Sequence, residues 1–226
     1  MKEAALAYLA ELVRRYPILA GQSERIARAT EILIRGYRAG GKLLICGNGG
    51  SAADAEHIVG ELMKGFRLAR QVPAAGIAKL RATGYEDWAE LARTLQRGLP
   101  ALALTGHPAL STAVLNDNDP YMTFAQQVYI LGQPGDIVLG LSTSGNSRNV
   151  VNALKVAHAF GLYTVGLCGQ KGSLMDDVCD CIIHIPEEET FKVQELFLPV
   201  YHAVCLALED EFFGMEVSPQ PAENRS

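Results

Sequence analysis

Lys42–Glu61, KLLICGNGGSAADAEHIVGE, decides the fold. Its apolar run Leu43-Leu44-Ile45-Cys46 reads as a buried strand, Gly47-Asn48-Gly49-Gly50-Ser51 as a tight turn, and Ala52 onward as a helix. A strand passing through glycines into a helix gathers free backbone N–H groups and the positive helix end at one point, where an anion such as phosphate can sit. On the same helix His57 and Glu61 lie four residues apart, so they share a face and can hold a metal together or divide acid and base work. Taken alone, that pair reads as an ordinary surface pair, and its place beside the glycine turn reverses the reading.

Outward from this stretch, strands alternate with helices. Ala101–Leu104, Asp136–Leu141, Tyr163–Cys168 and Cys181–Ile185 read as strands, and 108–115, 121–131 and 147–160 as helices. Strands separated by helices imply parallel pairing with right-handed crossovers and a sheet covered on both faces. The fold class is therefore α/β, with ligands expected at the carboxyl ends of the strands. An N-terminal helical hairpin, Lys2–Arg15 and Ser23–Arg38, precedes the first strand, with Ser23 as the expected N-cap. A hairpin so placed has one flank to pack on, which suggests that part of it lies against another copy of the chain. Glu187–Phe213 closes the chain as a long helix, expected in more than one piece.

Residues 70–97 form an extra segment. Gln71–Ala82 shows no clear period and reads as a loop, while Thr83 and Glu86 make a T-x-x-E capping box before a helix carrying Trp88, Leu91 and Leu95.

Length and composition bound the rest. The 226 residues suit one compact domain, and 49% hydrophobic with 20% charged residues is ordinary for a globular chain. A net charge of −5 argues against a protein that coats nucleic acid or an anionic membrane. No basic start with an apolar run behind it and no stretch of about 18 apolar residues appears, so the expected address is cytoplasmic, with no membrane partner. Five cysteines spread through apolar runs suit a reducing compartment. Cys179 and Cys181 are expected on one side of a strand, as packing residues.

The second informative turn is Ser142-Thr143-Ser144-Gly145-Asn146-Ser147, between a strand and a helix. Four hydroxyls, a glycine and a helix start make an anion nest that needs no lysine. Ser147 alone would serve as an N-cap, but a cap requires one hydroxyl and this turn supplies four. The run Gly47–Ala52 also fits G-x-G-x-x-A, the dinucleotide fingerprint. The second strand and acidic residue that motif requires are missing, since Phe66-Arg67-Leu68-Ala69-Arg70 stands there.

GDIVLGLSTSGNSRNVVNAL, 135–154, resembles the phosphosugar-binding loop of the sugar isomerase (SIS) domain family. CGNGGSAADAEHIVGEL, 46–62, resembles the first loop of its phosphoheptose isomerase branch. The likeness runs over about Thr30–Phe213 apart from the extra segment, and it implies a flavodoxin-like doubly wound parallel sheet in a single SIS domain spanning 1–226. By this resemblance Ser142, Thr143, Ser144 and Ser147 hold a phosphate, and Asn48, Gly49, Gly50, Ser51, Asn116, Asp117 and Gln194 contact the sugar. His57, Glu61, Gln194 and His202 surround a zinc ion. The implied assembly is a homotetramer with sites at subunit interfaces, and the implied reaction interconverts sedoheptulose 7-phosphate and D-glycero-D-manno-heptose 7-phosphate.

The residue types suit that chemistry. Moving a carbonyl from C2 to C1 needs a base for a carbon-bound proton, an acid for the oxygen and stabilisation of the enediolate between them. Glu61 is the expected base and His202 the expected acid. Gln194 and His202 stand about 12 Å apart along a straight helix and roughly 80° around it. Sharing one ion would take long reaches, a kink at Pro199 or two subunits. Two alternatives stay open at this point: a non-catalytic SIS protein that binds a phosphosugar or a replication initiator protein, and an isomerase of another phosphosugar.

Overall fold

A computed structural model describes residues 1–214; positions 215–226 of the expected domain lie outside the described residues. Five strands, β1 (Leu43–Cys46), β2 (Ala101–Ala103), β3 (Ile137–Ser142), β4 (Tyr163–Gly169) and β5 (Cys181–Ile185), form one parallel sheet in the order β2-β1-β3-β4-β5. Every position of β1 and β3 is buried. Alternate residues feed two cores: Leu43 and Ile45 point to one layer, Leu44 and Cys46 to the other. That two-sided burial explains why these strands are continuous apolar runs rather than alternating ones.

The first layer is built by α1 (Glu3–Arg15), α2 (Ser23–Arg38), α3 (Gly50–Met63) and, as the chain's last helix, Thr190–Phe213. The second holds α7 (Thr123–Leu131) and α8 (Arg148–Ala159), with α6 (Pro108–Asp117) packed at its edge. α4 (Ala74–Ala82) and α5 (Trp88–Thr94) stand apart from both layers, and the last helix is accordingly α9. Sheet order reverses between β1 and β3, which makes the crevice beyond their carboxyl ends the place for a ligand. Both glycine-containing turns read from the sequence open there. At the other end, Asp136 accepts from the Lys42 backbone and takes its ammonium at 2.6 Å, fixing the register of β1 on β3.

Several expectations are corrected. The 71–82 stretch is not a loop, because Ala74–Ala82 is helical. None of its residues is buried, so it has no apolar stripe to betray it, and its Ala, Lys, Leu and Arg content alone favours the helix. The capping box does not form. Thr83 Oγ donates to the Leu80 carbonyl and accepts from the Tyr85 amide, closing α4 instead, while Asp87 takes the N-cap position of α5. Ser23 is the first residue inside α2, since a 3₁₀ turn over Pro17–Gln22 runs directly into that helix.

α9 is one unbroken helix. Pro199 deprives the carbonyl of Glu195 of its usual donor, but Glu195 is exposed, so that carbonyl need not be satisfied within the protein. By length and composition α9 is apolar enough to cross a membrane, yet half of that stretch is buried, and Phe197, Tyr201, Cys205 and Leu208 lie in the first core. α9 also supplies the flank the N-terminal hairpin lacked: Ala5, Leu9 and Leu12 of α1 are buried with it. Cys179 and Cys181 fall in opposite layers, because Cys179 precedes β5 and turns toward the α8 side. All five cysteines are free, and burial pushes the Cys168 thiol up to about 11 and Cys46 to about 12, so they stay protonated fillers of the core.

Candidate active site

The glycine turn needs its glycines. Gly49 has φ +56, and a Cβ at Gly47 would lie 2.7 Å from the Ser51 carbonyl oxygen. Asn48 stands exposed on this turn and pairs reciprocally with Asn149 from the first turn of α8, at 2.9 and 2.8 Å. That pair ties the glycine turn to the hydroxyl-rich turn. There Ser142 Oγ donates to Ser147 Oγ at 3.0 Å, and Ser144 Oγ lies 3.5 Å from Ser142 and accepts from the Asn146 amide. Ser147 occupies the N-cap position of α8 but does not cap it. Its hydroxyl faces into the turn instead.

Thr143 is held through its carbonyl, which accepts from Gly169 N. Asn48, Gly49 and Asn149 share a cleft with Thr105, Thr112 and Leu115. Asn116 and Asp117 end α6 just past Leu115, exposed and bonded to each other at 2.8 Å.

α3 and α9 pack side by side in the same direction: Ser51 meets Gln194, Asp54 meets Gln194 and Tyr201, and His57 meets Tyr201 and His202. His57 Nε2 is 3.1 Å from Glu61 Oε1 and 3.4 Å from His202 Nε2. One ligand atom from each of these three residues falls within 4.8 Å of the other two. Glu61 Oε2 is buried and has no hydrogen-bond partner among the described residues, with Lys64 Nζ standing off at 3.5 Å. Two imidazole nitrogens and a carboxylate with an unused oxygen are a donor set that fits zinc. Burial and the neighbouring His57 hold His202 below the ordinary imidazole value, against the pull of Glu61. A neutral imidazole is the form that ligates.

The structure thus gathers three of the four expected ligands. Gln194 is occupied elsewhere: its amide nitrogen donates to Asp54 Oδ2, and its oxygen lies 3.3 Å from Ser51 Oγ, beside Gly50. The loop cleft and the groove beside His202, which Tyr8, Arg15 and Pro199 also line, share no residue within one chain. Ser51, Gln194 and Asp54 connect them.

Sequence reading missed several residues. Asp54 is three positions before His57 and so on its helical face, a spacing that could have been read. Tyr201 precedes His202 and lies seven after Gln194, again one face of a helix. Arg70 and Glu209 left no such signal. Arg70 is fully buried and bonds Glu209 Oε1 at 2.8 Å, the Leu62 carbonyl at 2.7 Å and the Glu61 carbonyl at 3.1 Å. Glu209 also accepts the amides of Phe66 and Arg67, and the Phe66 ring rests 5.3 Å from His202. This ion pair fastens the end of α3 to α9.

Two family models, each described as SIS domain, match residues 7–82 and 121–208. Phosphoheptose isomerase of Crocosphaera subtropica is 40% identical over 183 residues, 81% of this chain and 80% of its own. That of Clostridium acetobutylicum is 37% identical over 194 residues, 86% of each chain. Among solved structures, phosphoheptose isomerase from Neisseria gonorrhoeae superposes with a TM-score of 0.69 at 30% identity, covering 90% of this chain and 96% of that one.

Proposed function

The chain belongs to the SIS domain family, in its phosphoheptose isomerase branch, and from that premise we propose that it interconverts sedoheptulose 7-phosphate and D-glycero-D-manno-heptose 7-phosphate. The observation that carries this reading is the meeting of His57, Glu61 and His202 on two packed helices, the first of which starts at the glycine turn of the β1/β3 switch point.

The hydroxyls of Ser142, Thr143, Ser144 and Ser147 take the phosphate, helped by the amino end of α8. Asn48, Gly49, Gly50, Ser51, Asn116 and Asp117 receive the sugar chain, and Gln194 sits on that side through Ser51. Glu61 removes a proton from C1 of the ketose while the C2 oxygen gains one from His202. The enediol then loses its O1 proton and C2 is reprotonated, so the carbonyl ends at C1 with no net change in composition. His57, Glu61 and His202 would hold a zinc ion, which supplies Lewis-acid polarisation of the carbonyl. A ligating carboxylate is a weaker base, and the two Glu61 oxygens have different surroundings: Oε1 faces His57, while Oε2 accepts no hydrogen bond among the described residues and has Lys64 Nζ at 3.5 Å. With zinc held there, Glu61 would have one oxygen for the ion and one left for proton transfer.

The separation of the loop cleft from the His202 groove within one chain supports a homo-oligomer, a tetramer by the family pattern, in which a second copy completes the enclosure. Exposed Leu110, Tyr129 and Ile130 offer apolar surface for such packing. Five free cysteines suit a cytoplasmic address.

The test is turnover of sedoheptulose 7-phosphate followed by NMR, with and without chelator, in wild type and Glu61→Gln. Wild-type turnover that falls at least about a hundredfold in Glu61→Gln, with phosphosugar binding retained, is expected. Binding of the sugar with no turnover of any phosphoketose would move the chain to the binding proteins of the family.

A further inference from the structure

Tyr201 and Asp54 have no place in the proton transfers above, yet the Tyr201 hydroxyl bridges Asp54 to His57. Tyr201 Oη lies 3.1 Å from Asp54 Oδ1 and 3.0 Å from His57 Nδ1. It is 4% exposed and carries one proton to give. Asp54 Oδ2 already accepts the Gln194 amide. An ionised carboxylate is a stronger acceptor than a neutral imidazole nitrogen. The Tyr201 proton therefore goes to Asp54. A phenol is protonated at neutral pH, so it is a donor. Its lone pair is then left facing His57 Nδ1 at hydrogen-bond distance, and only Nδ1–H satisfies that contact.

We propose that Asp54 and Tyr201 are positioning residues: a carboxylate–phenol–imidazole relay that keeps the proton of His57 on Nδ1 and turns its Nε2 lone pair toward Glu61 and His202. Nε2 then stands 3.1 Å from a carboxylate oxygen with no proton of its own between them. Two acceptors face each other, an arrangement that asks for a cation. The relay thus converts an ordinary i,i+4 His–Glu pair into one half of a metal-binding set. Partners of this kind behind a ligating histidine fix its tautomer and raise its basicity. Gln194, by holding the far carboxylate oxygen, is the outermost member, which accounts for its direction in this structure. The metal-binding consequence rests on the reading given under Proposed function; the tautomer does not.

The test uses the metal-free full chain, ¹⁵N-labelled at histidine, with His57→Gln to identify the resonances. Long-range ¹H–¹⁵N spectra of neutral His57 are expected to show the proton on Nδ1 in wild type and a shift toward Nε2–H in Tyr201→Phe. Titration with Co²⁺, followed by its visible absorption, is expected to show affinity about 10- to 100-fold weaker in Tyr201→Phe. Asp54→Asn should lie between the two, since an amide still accepts but without charge. His57 carrying its proton on Nε2 in wild type, or a Tyr201→Phe chain with unchanged tautomer and unchanged affinity, would overturn the relay. Wild type with Nδ1–H that binds no Co²⁺ would overturn the metal-assisted reading and leave the relay standing.

Discussion

Asn48 and Asn149 exchange two amide hydrogen bonds, 2.9 and 2.8 Å long, across the gap between the turn that follows β1 and the helix that follows β3. They are about a hundred residues apart in sequence, and they close one side of a cleft between the glycine turn and the start of α8. Each bond contributes about 1 kcal/mol net. Asn149→Ala removes both, so it should cost up to about 2 kcal/mol of stability and raise KM for the phosphoketose about three- to tenfold, with kcat little changed. Steady-state kinetics beside a thermal melt check this.

Gly145 is the residue on which the hydroxyl-rich turn depends. Its φ is +66, and a Cβ there would lie 2.1 Å from Ser173 Cβ. Gly161, at the end of α8, has φ +72 but open space around it. Both alanine variants should lose about 1–3 kcal/mol of stability from backbone strain. Gly145→Ala alone should also lose affinity for inorganic phosphate, measured by calorimetry.

The Arg70–Glu209 pair is buried on both sides, with side-chain exposures of 0% and 2%. Removing one partner leaves the other charged in the core, which costs about 3–5 kcal/mol. Arg70→Met should lower the urea midpoint accordingly. It should also depress kcat, because the guanidinium that reaches Glu209 is the one that holds the Glu61 carbonyl.

His202 gives the metal-free protein a pH dependence of predictable sign. Desolvation first, and His57 second, lower its pKa, so as pH falls the unfolded chain takes up a proton before the folded one does. Stability should then rise with pH across the ordinary imidazole range, roughly pH 5.5 to 7.5. His202→Gln should flatten that part of the profile, read as urea midpoints of chelator-treated protein.

The sheet was legible because its physics is local. A strand buried on both faces must be apolar throughout, and Leu43–Cys46 and Ile137–Leu141 are; a turn with positive φ needs glycine, and Gly49 and Gly145 stand at such turns. Where no face is buried the signal vanishes, which is why α4 passed for a loop. His57 and Glu61 share a helix, so their spacing alone set them together.

Everything that joins α3 to α9 was decided by tertiary structure. Nothing in the local sequence around Arg70 announces that its charge will be buried against Glu209, 139 positions away, because a buried ion pair is defined by the partner and not by its own neighbours. Likewise the sequence determined that His57 could be a ligand, through its place on a helix behind a glycine turn. Which of its two nitrogens faces His202 was decided only by Tyr201 arriving on a distant helix at 3.0 Å, since a neutral imidazole takes its tautomer from whatever acceptor the fold sets against it.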